Sequence, residues 1–220
     1  MADKDFWIVI PAYNESKHIS DVIKKAKTFS DNIVIIDDGS KDNTHEIAKD
    51  LDVYVLKNIV NMGKGAALKT GCDFAIKKGA KKIIVMDSDG QHNPAKIPII
   101  LSKLKNVDIV FAYRKFSRTM PGILKFGNIM INKFTSFLYG INLKDTQCGF
   151  RAFTADAYKK VRWKSSGYSM ESEMVANAGK HKLKYSEFPI ETIYSDRYKG
   201  TTVLDGFKIV FNMIKWKLGG

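Results

Sequence analysis

The stretch KIIVMDSDGQ, residues 82–91, runs from an apolar core segment straight into a pair of carboxylates. Lys82–Met86 lacks polar alternation, the pattern of a strand covered on both faces. It breaks at Asp87-Ser88-Asp89-Gly90, a turn that leaves two acids at the strand's carboxyl end. The same figure recurs outward in both directions. Upstream, Phe6–Ile10 is an apolar run expected to stop at Pro11, followed by Tyr13-Asn14-Glu15. Ile33–Ile36 ends in Asp37-Asp38-Gly39-Ser40, and Val53–Leu56 is a short third strand. Downstream, Asp108–Tyr113 ends on Arg114.

Helical patterns fill the intervals. Asn14 is placed to cap a helix whose apolar positions Ile19, Val22, Ile23 and Ala26 follow i, i+3, i+4, i+7 spacing. A short helix is expected near Asn43–Lys49. A longer one at Gly63–Lys78 has a small-residue face, and another lies at Ile97–Leu104 beyond Pro94. This alternation predicts an α/β fold, a Rossmann-like, mostly parallel sheet with helices on both faces. Ligands of such sheets bind beyond the carboxyl ends of the strands. Tyr13-Asn14-Glu15, Asp37-Asp38, Asp87–Gln91 and Arg114 are therefore expected to converge on one edge.

The texture changes after residue 115. Ile123–Ile141 reads as a helix apolar nearly all round, with Lys125, Asn128, Asn132 and Thr135 as a narrow polar stripe. Asp145–Phe153 reads as a turn and strand, Met170–Ala178 as a helix and Leu183–Ile190 as a strand. The tail, Leu204–Leu218, carries Asp205, Lys208, Asn212 and Lys215 on one stripe. No Pro- or Ser-rich linker divides the chain, so residues 1–220 are expected to form one domain.

Of 220 residues, 45% are hydrophobic, enough for a sizeable core. Lys and Arg number 36 against 23 Asp and Glu, a net charge of +13. That excess favours nucleic acid, a phosphorylated metabolite or an anionic membrane face, or else is a lysine-rich solvated surface. Cys72 and Cys148 imply no disulfide framework, and the four histidines lack zinc-ligand spacing. No run approaches the roughly 18 apolar residues of a membrane span. The apolar stretch near the N-terminus is too short for a signal peptide.

Several clusters carry chemistry. Asp87, Asp89 and Gln91 offer two carboxylates and an amide oxygen, hard ligands for Mg²⁺ or Mn²⁺, unless they merely build a polar turn. Asp37 or Asp38 could accept from a base N–H or a ribose hydroxyl, or serve as turn and helix cap. Gly63-Lys64-Gly65 precedes a helix but lacks the P-loop and dinucleotide glycine patterns. Close helix packing is expected there, with Lys64 within reach of a phosphate. Arg114, Arg118, Lys125, Arg197 and Lys199 are the phosphate-contact candidates, Arg114 foremost for its strand-end position. The tail suits core packing, a membrane-surface helix with Phe207, Phe211 and Trp216 toward lipid, or, least well, a nucleic-acid face.

PAYNE (Pro11–Glu15), DDGS (Asp37–Ser40), N-x-GKGAA (Asn61–Ala67), DSDGQH (Asp87–His92) and DTQCGFR (Asp145–Arg151), with Arg197, together resemble inverting family 2 glycosyltransferases of the GT-A fold. Their order and spacing are similar to those of the polyprenyl-phosphate sugar synthases, which make dolichyl-phosphate mannose, glucose or N-acetylglucosamine. The resemblance implies one GT-A domain over 1–220. Residues 1–115 would be its nucleotide-sugar half, and 116–220 its acceptor and membrane-surface half with amphipathic C-terminal helices. Pro11, Tyr13, Glu15 and Asp38 would surround base and ribose, with Lys199 also on the donor. Asp87, Ser88 and Asp89 would meet the diphosphate, and Asp87, Asp89 and Gln91 the metal. Arg114 and Arg197 would hold donor or acceptor phosphates, Lys125 adding to the acceptor side. The turn Thr146-Gln147-Cys148-Gly149-Phe150 looks more like glucosyl and N-acetylglucosaminyl relatives than like mannose synthases, which tend to carry T-G-F or T-S-G-F. A lysine that mannose synthases place six residues after the Arg197 equivalent falls on Val203 here, leaving Lys199 to substitute. A UDP-sugar is thereby favoured over GDP-mannose.

A phosphomonoester has its second pKa near roughly 6, so a polyprenyl phosphate is largely a dianion at pH 7 and needs no strong base. Asp145, where relatives with hydroxyl acceptors would place a base, is expected to position instead. The site must hold two anions together. Unit like charges about 4 Å apart repel by about 4 kcal/mol at an effective dielectric near 20. A metal ion with Arg114 and Arg197 would offset this, and one in-line attack would turn an α-linked donor into a β-linked lipid phosphate. The isoprenoid tail stays in the bilayer, so the enzyme is expected at the cytoplasmic membrane face, docked by Ile123–Ile141 and Leu204–Leu218. Nucleic acid is not expected as a partner. A sugar-phosphate nucleotidyltransferase would need a Gly-rich loop where the chain has Pro-Ala-Tyr-Asn-Glu. Two competing functions fit the composition less fully: a basic RNA-binding or scaffold protein, and a family 2 enzyme with a soluble or polysaccharide acceptor.

Overall fold

The computed structural model describes residues 5–114, 122–191 and 203–218, with backbone alone at 122–126, 128 and 203–207. Its strands are β1 (Phe6–Ala12), β2 (Ile33–Asp37), β3 (Tyr54–Lys57), β4 (Lys82–Val85), β5 (Ile109–Arg114), β6 (Arg151–Thr154) and β7 (Tyr185–Ile190). They pair in the order β3-β2-β1-β4-β6-β5-β7. Every pairing is parallel except those of β6, which runs antiparallel to both β4 and β5. The apolar runs of β1 and β2 are buried along their whole length because helices cover both faces. On one face α1 (Ile19–Lys27) and α4 (Ile97–Leu104) pack over Ile8, Ile10 and Ile35. On the other, α3 (Lys64–Lys77) packs over Val9, Val34 and Ile36, and α5 (Gly122–Tyr139), α7 (Met170–Lys180) and α8 (Val203–Leu218) pack on one another and extend the same apolar layer.

Two expectations about the first strand are corrected. Pro11 does not end it: β1 continues to Ala12 and pairs Pro11 with Ile36. Its missing N–H faces the β4 side, where pairing has already stopped at Val9–Val85, so no ladder bond is lost. Asn14 does not cap a helix. It takes φ 53°, and its Oδ1 accepts from the Lys41 N–H at 2.8 Å, while α1 begins only at Ile19. The loop, not the helix, consumes this side chain.

The long C-terminal helices also differ from the pattern. Asn132 and Thr135 do not form a solvated stripe on α5. Thr135 is fully buried and donates to the Ile131 carbonyl, and Asn132 ties α5 to Lys144 and Thr146. Tyr139 donates to the Met213 carbonyl at 2.6 Å, joining α5 to α8. Among the described residues of α5, the large apolar side chains left exposed are Ile129, Met130 and Phe137. On α8, Ile209 and Met213 enter the core with Trp216 packed against it, while Phe211, Ile214 and Leu218 face out. Trp216 thus belongs to the core side rather than a lipid-facing one.

Candidate active site

Parallel strands of one sheet end on one edge, and there the polar clusters meet as expected. They line a cleft of about 560 Å³ whose walls include Pro11, Tyr13, Glu15, Asp38, Asp87, Ser88 and Asp89. The loop after β1 is laced to the loop after β2. The N–H groups of Asn14, Glu15 and Ser16 donate to Ser40 Oγ, Thr44 Oγ1 and Asp42 Oδ2. Glu15 is buried by this lacing and Tyr13 is left exposed at the cleft.

Asp38 has a structural duty alongside any ligand role. Its carboxylate accepts from Asn58 Nδ2, the Met62 N–H and the Gly63 N–H, at 2.7, 2.9 and 2.8 Å. It thereby anchors the segment that delivers Lys64. Gly39, at φ +73°, passes so close that a Cβ would stand 2.7 Å from the Val60 carbonyl carbon. Asp37 points away from the cleft, buried and facing His45 at 3.6 Å.

At the centre stands Asp87. Lys64 Nζ lies 2.7 Å from its Oδ1, and the buried Glu171 holds the same ammonium at 3.0 Å. Burial alone would raise the Asp87 carboxyl, but Lys64 beside it wins and brings it down to about 2. The group is therefore an anion at neutral pH. His92 shapes the turn: Nδ1 accepts the Asp87 N–H at 3.0 Å, and the ring stacks on Phe150 at 5.3 Å. Burial lowers the His92 pKa, which keeps the imidazole neutral. Asp89 caps the following turn by accepting the Gln91 N–H, and Gln91 lies beside the cleft rather than in its wall.

Because β6 is antiparallel, its first residue, Arg151, pairs with the last residue of β4. Residues 145–150 therefore arrive at the same edge as Asp87. There Asp145, 2% exposed, grips Arg114 with two bonds, Nε to Oδ2 at 2.7 Å and Nη2 to Oδ1 at 3.1 Å. Burial pushes the Asp145 carboxyl up, the guanidinium outweighs it, and the net shift is downward. A carboxylate so engaged orients an arginine and is a poor proton acceptor. Gly149 passes within van der Waals distance of the Asp87–Lys64 pair: a Cβ there would be 2.8 Å from Asp87 Oδ2 and 3.1 Å from Nζ. Arg151, buried, donates to the carbonyls of Thr146, Cys148 and Glu171 at 2.7–2.8 Å and so pins this loop to α7.

Glu171, His92 and Arg151 were not singled out from the sequence. Arg151 was visible only as the end of a motif, and Glu171 has no spacing signal at all. Arg118, Arg197 and Lys199 lie outside the described residues, as does the side chain of Lys125.

Residues 7–162 match the family model described as glycosyl transferase family 2. The chain belongs to that family. Among similar proteins, the UDP-N-acetylglucosamine–dolichyl-phosphate N-acetylglucosaminyltransferase of Methanococcus voltae is 36% identical over 100% of this chain and 98% of its own length. The undecaprenyl-phosphate mannosyltransferase of Micrococcus luteus is 26% identical over 96% of this chain and 93% of its own. Among solved structures, glucosyl-3-phosphoglycerate synthase from Mycobacterium tuberculosis, in complex with Mg²⁺ and UDP, superposes with a TM-score of 0.78 at 16% identity, covering 99% of this chain and 80% of that one. This family 2 chain is a glycosyltransferase with the expected GT-A arrangement of sheet and helices.

Proposed function

We propose that this glycosyltransferase moves a hexosyl or N-acetylhexosaminyl group, with inversion, from a nucleotide sugar to dolichyl or polyprenyl phosphate, UDP-sugars being preferred to GDP-mannose. One observation carries the choice of acceptor: Asp145, the carboxylate best placed to act as a base, is clamped bidentately on Arg114. A hydroxyl acceptor would need that base, whereas a phosphate dianion needs a fixed cation instead. The names of the Methanococcus and Micrococcus relatives support the same acceptor class.

In this reading Tyr13, Glu15 and Asp38 receive base and ribose, and Arg114, fixed by Asp145, receives a phosphate. Lys125, Arg197 and Lys199 add cations from the second half, which holds the acceptor, while the first half holds the donor. Asp87 and Asp89 fit a divalent cation: both are hard oxygen donors, and Asp87 is an anion that already holds an ammonium. Gln91, beside the cleft, would join them by turning toward it. The Mg²⁺ or Mn²⁺ bound there would neutralise the leaving diphosphate.

The same reading has the enzyme working as a peripheral protein at the cytoplasmic face of a membrane, since an isoprenoid acceptor stays in the bilayer. Exposed Ile129, Met130 and Phe137 on α5, and Phe211, Ile214 and Leu218 on α8, support this, with Lys208, Lys215 and Lys217 exposed among them and a net charge of +13. No described helix is long and apolar enough to cross a bilayer. The deciding experiment supplies purified protein with radiolabelled UDP-N-acetylglucosamine, UDP-glucose and GDP-mannose in turn, together with polyprenyl phosphate. Label is expected in the organic phase with a UDP-sugar. Transfer only to a soluble or polysaccharide acceptor would overturn the proposal.

A further inference from the structure

The ion cluster at the heart of the cleft has one feature that a static ion pair leaves unexplained. Lys64 Nζ bridges Asp87 Oδ1 at 2.7 Å and Glu171 Oε1 at 3.0 Å. Glu171 is 4% exposed, yet its second oxygen, Oε2, is buried without a hydrogen-bond partner. Leaving a buried carboxylate oxygen unpaired is costly, so a partner in another state is the economical account. Among the described residues, the cation already on Glu171 is Lys64, at Oε1. Its backbone is anchored, since the neighbouring Gly63 N–H is held by Asp38 and the Ala66 N–H by the Ser166 carbonyl. The backbone of Glu171 is likewise anchored, by Arg151 Nη1 at 2.8 Å. The flexible lysine stem is left to move.

We propose that Lys64 and Glu171 form an exchangeable latch on Asp87. While the cleft is empty, the Lys64 ammonium neutralises Asp87. When a divalent cation arrives with the nucleotide diphosphate, the ammonium gives up Asp87 and is held by both oxygens of Glu171. The inference rests on Asp87 as a metal ligand, as set out above. Its physical basis is that an ammonium and a divalent cation on one partly buried carboxylate repel each other. Glu171 gives the displaced charge somewhere to go without leaving the protein. Lys64 and Glu171 are thus positioning residues that couple metal binding to nucleotide binding, and the free protein should hold metal weakly.

Mn²⁺ binding to the full chain, followed by electron paramagnetic resonance with and without UDP, tests this directly. The wild type is expected to bind Mn²⁺ weakly alone and at least about tenfold more tightly with UDP. Lys64→Met removes the competitor, so Mn²⁺ alone should bind at least about tenfold more tightly than to wild type, with the UDP dependence reduced to what the diphosphate oxygens themselves supply. Glu171→Gln leaves the ammonium to Asp87, and Mn²⁺ should bind about threefold or more weakly. The double variant K64M/E171Q keeps the net charge of the cluster and decides the matter if Lys64→Met alone does not fold; it too should bind Mn²⁺ more tightly than wild type. Melting curves check that each variant is folded. Weaker or unchanged Mn²⁺ binding in every folded variant that lacks Lys64 would overturn the latch and leave a purely structural ion pair. A wild type that takes up no Mn²⁺ even with UDP would remove the metal reading itself, and the latch with it.

Discussion

Arg151→Met keeps the unbranched apolar stem of a buried side chain and removes all its donors. Arg151 is 1% exposed, its guanidinium lies over Phe111 at 5.2 Å, and it donates to three carbonyls, those of Thr146, Cys148 and Glu171. Methionine retains the apolar stem but takes a charged donor away from each of three carbonyls. At about 1–2 kcal/mol for each, the loss is about 3–6 kcal/mol. For a chain of this size about 1 kcal/mol corresponds to roughly 2–4 °C, so the melting temperature should fall by roughly 6–24 °C. The loop that Arg151 pins also carries Asp145, so sugar transfer measured well below the new melting point should fall as well. Arg151→Lys retains the charge but not the planar fork, and should recover about half of the stability. Calorimetry or circular dichroism melts provide the assay. A drop below about 3 °C for the methionine variant would show that the three carbonyls find other donors, and the reasoning would fail.

Four further outcomes follow from the same geometry. Asp89→Ala should reduce transfer by at least about a hundredfold while the melting temperature holds, since Asp89 lines the cleft; wild-type turnover would remove the metal reading. Gly149→Ala should fold, because the atoms its Cβ meets are the ends of side chains, but it should displace the Asp87–Lys64 pair and lower kcat about tenfold or more. Asp42 and Asp87 each sit at about 2 against an ordinary 3.8; in both, burial pushes upward and is outweighed, by hydrogen bonds from Thr44 and Ser16 at Asp42 and by Lys64 at Asp87. Carboxyls lowered in the folded state add stability above about pH 4 that disappears as pH falls toward about 2, so melting temperatures should decline across that window; a flat profile between about pH 4 and pH 2.5 would contradict the assignment. Reversing the charge at Lys208, Lys215 and Lys217 should weaken co-sedimentation with anionic liposomes, and unchanged binding would count against the membrane-facing role of α8.

Much of the scaffold was legible because strand runs and helical spacing are local properties. The apolar segments at 6–10, 33–36 and 82–86 came out as β1, β2 and β4, because a buried parallel strand must be apolar along its whole length. Pro11 misled because a proline's effect depends on which neighbour its missing N–H would face, and that is set by where β4 stops. Asn132 and Thr135 misled because polar residues at helical spacing look alike whether they meet water or a buried carbonyl.

The candidate site divides along the same line. The chain alone placed Glu15, Asp38, Asp87, Asp89 and Arg114 together, since each follows a strand and parallel strands share a carboxyl edge. Only the tertiary structure brought Asp145 onto Arg114 and Gly149 against Asp87, because an antiparallel β6 inserts between β4 and β5, and strand direction carries no signature in composition. Only it brought Glu171 to Lys64, across more than a hundred residues of chain. Local periodicity determines which segments form and where polar groups sit along them. Which carboxylate meets which cation is decided by long-range packing, and that determines which acids are left to do chemistry.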